Sequence, residues 1–301
     1  MSRDLHFDAL PVPPSRLGES PFWHADEQAL YWCDIPGRAL NRYQPGTGRH
    51  QRWDFQTEPA CAAPIEGGGL LLGMRDGLWR FDPDTGQRNR LAEPPYNPAT
   101  ERFNDGKAGP DGSFWVGTIY EPRDPPLAAL YRWRPDGLRR MADGITTSNG
   151  LAWSPDGDTL YWTDTKAHCI RAFDGVRGAD ALPTPRVLAQ FPPRQPGQPL
   201  EQYGGRPDGA TVDAEGAYWC AMFEGQRLLR LAPDGRVLDE VPLPVRCPTM
   251  PCLGGPDGRT LYVTTAREGR PADELSAQPL AGCVLQARVE VPGLPAHTVR
   301  W

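Results

Sequence analysis

Short apolar and aromatic runs, separated by turns, recur along the whole chain. Five of them are ALYWCDI, SFWVGTI, TLYWTDT, AYWCAMF and TLYVTTA, which are rich in β-branched and aromatic residues. Such residues favour strands, and the intervening PDG and DTG sequences supply the Asp and Gly of tight reversals. No long stretch with helical periodicity interrupts them. The pattern therefore predicts an all-β protein built from many short strands.

The strand runs and turns fall into six similar units. They begin at His24, Ile65, Gly109, Ser154, Asp213 and Gly255. A period of roughly 40 to 60 residues is typical of four-stranded propeller blades. One blade cannot bury both of its faces, so residues 1–301 are predicted to form a single six-bladed β-propeller domain. A β-sandwich is the alternative, but sandwiches do not usually repeat with this phase. The N-terminal HFDAL segment is expected to pair with C-terminal strands and close the ring.

A polar residue stands five positions before the start of four of the six units. These polar residues are Glu19, Asn104, Asn149 and Asp208. The remaining two units have Ala60 and Met250 at that position. Asn-Gly and Asp-Gly pairs are also ordinary turn formers, which is the simpler interpretation for each one alone. However, residues at the same position of successive repeats lie at the same height in the central channel of a propeller. We therefore expect the four side chains to converge at one mouth.

Two carboxylates and two amides provide an oxygen-only set of metal ligands. Such a set suits Ca²⁺ first, and also Mg²⁺ or Mn²⁺, with Zn²⁺ and Fe²⁺ as further alternatives. A divalent cation would also offset the repulsion between two carboxylates focused on one axis. Because the protein supplies only three or four ligands, coordination positions remain for substrate or water. Open positions are typical of a catalytic metal.

Composition and charge narrow the classes of function. The chain has 301 residues and a formal net charge of −6, with no basic stripe, so we do not expect it to bind nucleic acid. No window approaches the ~20 apolar residues of a membrane helix, so no membrane association is expected. The start of the chain has no apolar signal core, and the seven cysteines suggest reduced thiols, which together predict a cytoplasmic protein. No G-x-S-x-G elbow or phosphate-binding loop is present.

Five motifs resemble those of the SMP-30/gluconolactonase/luciferin-regenerating family, and within it the bacterial sugar-acid lactonases such as gluconolactonase and xylonolactonase. They are LGESPFW, RFNDGKAGPDGSFWVGT, SNGLAWSPDG, RPDGATVDAEGAYW and GGPDGRTLYVTTAR. They cover nearly the whole chain in the family's order. The resemblance implies a six-bladed β-propeller with one divalent metal in its central channel. It implies that Glu19, Asn149 and Asp208 are the metal ligands.

The resemblance also implies substrate contacts. The substrate-binding pair of the family corresponds to Arg102 and Asn104, and a further, less certain contact corresponds to Glu121. Ser20 replaces the glycine that follows the metal-binding glutamate in many members. Arg102 has an alternative interpretation as a surface residue that forms an ion pair with Glu101 or Asp105.

These expectations combine into a metal-dependent lactonase of carbohydrate metabolism. It would open sugar lactones such as gluconolactone, xylonolactone or arabinolactone to aldonic acids. The metal would act as a Lewis acid, and Asp208 would act as the general base. The expected partner is a small sugar lactone, and the protein is expected to be a monomer or small homo-oligomer. The alternatives are a phosphotriester or arylester hydrolase on the same fold, and a non-catalytic calcium-binding propeller.

Overall fold

The protein, described here for residues 5–301 of a computed structural model, consists of six four-stranded antiparallel sheets. The first sheet contains β2 (Gly18–His24), β3 (Ala29–Asp34), β4 (Ala39–Gln44) and β5 (Arg49–Asp54). The second contains β6 (Pro59–Pro64), β7 (Leu70–Met74), β8 (Gly77–Phe81) and β9 (Arg88–Ala92). The third contains β10 (Glu101–Ala108), β11 (Phe114–Tyr120), β12 (Ala128–Arg134) and β13 (Gly137–Ile145).

The remaining three sheets follow in chain order. The fourth contains β14 (Ser148–Trp153), β15 (Thr159–Asp164), β16 (Cys169–Asp174) and β17 (Arg186–Gln190). The fifth contains β18 (Arg206–Val212), β19 (Tyr218–Phe223), β20 (Arg227–Leu231) and β21 (Val237–Pro242). The sixth contains β22 (Pro248–Gly254), β23 (Thr260–Thr265), β24 (Leu285–Arg288) and β1 (Asp8–Ala9).

The N-terminal strand β1 completes the last sheet. Asp8 pairs with Gln286 and Ala9 with Leu285, so the two ends of the ring are joined by backbone hydrogen bonds. The expectation that the HFDAL segment closes the ring is therefore confirmed. The predicted all-β, six-bladed propeller is also confirmed, and each four-stranded sheet is one blade.

The first strands of the six blades, which we call the inner strands, line the central channel. They are β2, β6, β10, β14, β18 and β22, and each packs against the inner strands of the two neighbouring blades. All residues of β6, β14 and β22 are buried, whereas the outermost strands β5, β9 and β17 are largely exposed or half-buried. The inner strands are thus buried on both faces even where, as in β10, most of their residues are polar.

The core lies between the faces of adjacent blades. Between the second and third blades, for example, Cys61 packs with Phe103, Phe114 and Val116, all of them fully buried. The cysteines are free thiols, as predicted, and all but Cys283 are buried. Only two short helical segments occur in residues 5–301, the 3₁₀ turn Leu200–Gln202 and the helix Ala272–Ala277. No helix in this part of the chain has the length and apolar character needed to cross a bilayer.

Candidate functional site

The inner strands carry the four polar residues that share one phase of the repeat. Glu19 lies in β2, Asn104 in β10, Asn149 in β14 and Asp208 in β18, and all four side chains are buried. In each of these strands the pairing with the second strand of the blade is interrupted for two residues at this point. Such a bulge redirects side chains that regular pleating would send into the blade.

Hydrogen bonds join three of the four residues. The Asn104 Nδ2 atom donates to Asn149 Oδ1 at 2.9 Å and to the Ser148 carbonyl at 2.8 Å. The Asn149 Nδ2 atom donates to Asp208 Oδ1 at 2.5 Å and to Thr165 Oγ1 at 2.8 Å. The predicted convergence at one mouth of the channel is thus observed for three neighbouring blades.

Glu19 joins this group through electrostatics. Burial raises the pKa of Glu19 well above its usual range, and the charges of Asp208 and Asp105 raise it further. Burial also raises the pKa of Asp208 to about 7, and the Asp105 charge contributes to that rise. The Oδ2 atom of Asp105 accepts a hydrogen bond from the Leu151 amide at 2.8 Å. Its Oδ1 atom is buried and has no partner among residues 5–301. The channel therefore holds three buried carboxylates, none of which forms an ion pair within 4.0 Å in the described residues 5–301.

These residues fit a divalent cation by the chemistry of their donor atoms. Glu19 and Asp208 are buried carboxylates that repel each other, and the Asn149 side chain is hydrogen-bonded to Asp208, so the site offers hard oxygen donors of the kind that suit a divalent cation. Across the described part of the chain, no three His, Cys, Asp or Glu side chains form a group that could hold a metal. The predicted metal ligands include only two carboxylates, Glu19 and Asp208, because the remaining donors are amides.

Arg102 and Glu121 lie beside this cluster. Arg102 is buried, and its Nη1 atom donates to Asn104 Oδ1 at 2.8 Å. Its Nε atom lies 3.6 Å from Glu121 Oε1, and burial lowers the pKa of the guanidinium. The Glu121 carboxylate is held by Arg75, whose Nη1 and Nη2 atoms donate to it at 3.0 and 2.8 Å. Arg102 and Asn104 therefore form one hydrogen-bonded unit, and Glu121 is half-exposed at its edge.

The interpretation of Arg102 as a surface partner of Glu101 or Asp105 is wrong. Arg102 is 8% exposed, and its ion pair is with Glu121. Three charged residues were not predicted to belong to the site, namely Arg75, Asp105 and Arg123.

Residues 17–267 match the family described as the SMP-30/Gluconolactonase/LRE-like region. The chain belongs to this family. The expectation drawn from its five motifs is therefore confirmed, and the matched segment runs from just before the inner strand of the first blade into the last blade.

The chain is similar to two curated members of the family over most of its length. It is 43% identical over 285 residues to the 6-deoxy-6-sulfogluconolactonase of Pseudomonas putida, covering 93% of this chain and 94% of the relative. It is 33% identical over 289 residues to the regucalcin of Danio rerio, covering 94% and 95%. Among solved structures, a regucalcin of Agrobacterium tumefaciens described as a calcium-binding protein superposes with a TM-score of 0.91. That superposition covers 99% of this chain and 98% of the other, at 26% identity.

Gly150, which follows Asn149, is expected to tolerate no side chain. It has φ +62°, and a Cβ atom there would lie 2.3 Å from Tyr218 Oη and 2.5 Å from Thr163 Oγ1. Gly150→Ala should therefore lower the free energy of unfolding by about 3 kcal/mol, because a clash adds to the cost of the left-handed backbone. Gly144→Ala is the matched control, since Gly144 has φ +74° and open space around it.

Comparing the two variants separates the energetic cost of the left-handed backbone from the cost of the steric clash. Gly144→Ala should cost only about 1 kcal/mol in urea unfolding, which is the usual penalty for alanine in this conformation. Equal losses in the two variants would show that the Tyr218 contact contributes nothing.

Proposed function

We propose that this protein hydrolyses sugar lactones to aldonic acids at the channel mouth that contains Glu19, Asn149 and Asp208. The observation that carries the proposal is the buried chain of hydrogen bonds from Arg102 through Asn104 and Asn149 to Asp208. It joins a cation and neutral donors to a carboxylate with a pKa of about 7. The 43% identity to a lactonase over nearly the full length supports the same reaction class.

Each residue has a role suited to ester hydrolysis. Asp208 accepts the proton of the attacking water, because it is the carboxylate at the end of this hydrogen-bonded chain. Arg102 and Asn104 donate hydrogen bonds to the oxygens of the lactone and fix its orientation. Glu121, half-exposed and held by Arg75, accepts hydrogen bonds from sugar hydroxyls at the rim.

The proposed ligands of a divalent cation are Glu19, Asn149 and Asp208. When bound, such a cation supplies an electrophile for the lactone carbonyl and balances the carboxylates. Calcium is our first choice, because the ligands are all oxygen atoms and because the Agrobacterium protein of the same fold is described as calcium-binding.

One residue at the mouth suggests a lactone with a negatively charged substituent. Arg123 is close enough to Asp208, Glu121 and Arg206 for their charges to shift its pKa. Its guanidinium has no ion pair or hydrogen bond within residues 5–301. By contrast, Arg206 is paired with Glu224 at 2.6 Å. Because the Pseudomonas relative is named for a sulfonated gluconolactone, we include an anionic lactone among the candidate substrates.

A substrate panel tests the proposal. The panel contains gluconolactone, xylonolactone, 6-deoxy-6-sulfogluconolactone, an arylester and a phosphotriester, each corrected for spontaneous hydrolysis. We expect kcat/KM to be highest for a sugar lactone, and Arg123→Gln to reduce it for the sulfonated lactone more than for gluconolactone. Preference for the arylester or phosphotriester would contradict the assignment, as would calcium binding without turnover of any substrate.

A further inference from the structure

A cavity of about 350 Å³ occupies the half of the central channel away from the proposed lactone site. Every inner strand contributes to its lining, always with residues that follow the position shared by Glu19 and Asp208. On β10, for example, Lys107 lines the cavity three residues after Asn104, and on β14 Trp153 does so four residues after Asn149. Since the inner strands run in parallel along the channel, this cavity opens at the mouth opposite the proposed lactone site.

One half-buried lysine, Lys107, lines the cavity, and its ammonium group has unused donors. The Nζ atom of Lys107 donates to the Ala210 carbonyl at 2.9 Å. No carboxylate lies within 4.0 Å of it anywhere in residues 5–301, and burial lowers the pKa of Lys107 despite the opposing charge of Asp105. An ammonium has three N–H donors, so this geometry leaves two of them for a ligand.

The remaining walls are mostly apolar and aromatic. Phe22, Trp23 and Trp153 are buried side chains that line the cavity. The segment 293–297 lies across its outer end, where the His297 ring meets the Trp153 ring edge to face, with 6.5 Å between centroids. Partial burial and the nearby Lys107 lower the pKa of His297, which favours the neutral form of its ring. Lys107 is thus the cation of a small, aromatic-walled pocket.

We propose that this cavity binds an aromatic monocarboxylate, with the carboxylate on Lys107 and the ring against the Trp23 and Trp153 walls. The volume suits a small organic molecule. A single cation matches one negative charge, whereas a dianion would bring unpaired charge into an apolar site. A charge-assisted hydrogen bond to Lys107 would also satisfy an ammonium that burial otherwise penalises. This site is separate from the proposed lactone site and does not depend on it.

Benzoate is the probe, and benzyl alcohol is its uncharged counterpart. In titration calorimetry on the full-length protein, we expect benzoate to bind and benzyl alcohol to bind at least about tenfold more weakly, because the charge-assisted hydrogen bond is lost. Lys107→Met should weaken benzoate binding by about the same factor and leave the affinity for benzyl alcohol nearly unchanged. Equal affinities for the two probes, or benzoate binding that survives Lys107→Met, would overturn the proposal.

Two further variants keep the test decisive if Lys107→Met does not fold. Ala296 lines the cavity from the exposed C-terminal segment, so Ala296→Trp should fill the cavity and abolish benzoate binding without affecting the core. Arg102→Gln removes the guanidinium at the other mouth and should leave benzoate binding intact. Loss of binding in Arg102→Gln with retention in Ala296→Trp would assign benzoate to the lactone site and refute the second site.

Discussion

Asp208→Asn is expected to lower kcat for the preferred lactone by about a thousandfold, within the range attributed to general bases. Asparagine has the same shape and its amide oxygen can still accept the hydrogen bond from Asn149 Nδ2, so the arrangement of the site is retained. What is removed is the proton acceptor and one negative charge. The folded protein should be at least as stable without its metal, because a buried carboxylate subject to repulsion has been neutralised.

The matched control for this variant lies in the same blade. Asp213 is fully buried and accepts hydrogen bonds from Trp219 Nε1 at 2.9 Å and Arg230 Nε at 2.8 Å, away from the proposed ligands. Asp213→Asn should lower the melting temperature and leave kcat near that of the wild type. If Asp208→Asn retained most of its turnover, or if both variants lost it equally, Asp208 would not be the base.

Much of the fold could be predicted from the sequence because the pattern of strands and turns is repeated. Each blade places buried aromatic runs such as TLYWTD between tight turns, and six repetitions exclude most other all-β architectures. Even the ring closure was predictable, since HFDAL precedes the first complete unit and the last unit lacks an outer strand. The shared phase of Glu19, Asn104, Asn149 and Asp208 was visible for the same reason, because aligned turns give equal positions along the channel.

The missed residues are those that the repeat does not encode. Strand alternation predicts that Asp105 points away from the side to which Asn104 points, but the pairing of β10 is interrupted between Phe103 and Gly106. Both side chains are consequently buried near the channel. Arg75 reaches Glu121 from another blade, 46 residues earlier in the chain, and no local pattern signals such a contact. Contacts between residues far apart in sequence, and bulges within strands, can be identified only from the three-dimensional structure.

The two halves of the channel differ in charge for a structural reason. Glu19, Asp208 and Asp105 lie toward the mouth where the inner strands begin, and Lys107 lies beyond them toward the other mouth. Asp105 interacts with the charges on both sides, since it raises the pKa of Glu19 and opposes the lowering of the pKa of Lys107. The two proposals therefore place a cation site at one end of the same ring of strands and an anion site at the other.

Removal of divalent metal is expected to abolish lactone turnover, and addition of Ca²⁺ to the chelator-treated, desalted protein should restore it. Binding should also raise the melting temperature, because a ligand present at a hundred times its dissociation constant stabilises the folded state by about 2.7 kcal/mol. Glu19→Gln should lose most of this calcium-dependent shift, since it removes one of two anionic donors. Mg²⁺, Mn²⁺ and Zn²⁺, tested in turn, identify the preferred metal.

Glu121→Gln is the control for Glu19→Gln, because it neutralises a carboxylate at the same mouth that is already paired with Arg75. It should keep the full calcium-dependent shift in melting temperature and change mainly the KM for the lactone. Turnover that survives thorough chelation would refute the role of the metal. A calcium-dependent shift of equal size in Glu19→Gln and wild type would instead refute the ligand assignment, because a site that needs two buried carboxylates cannot bind equally well with one.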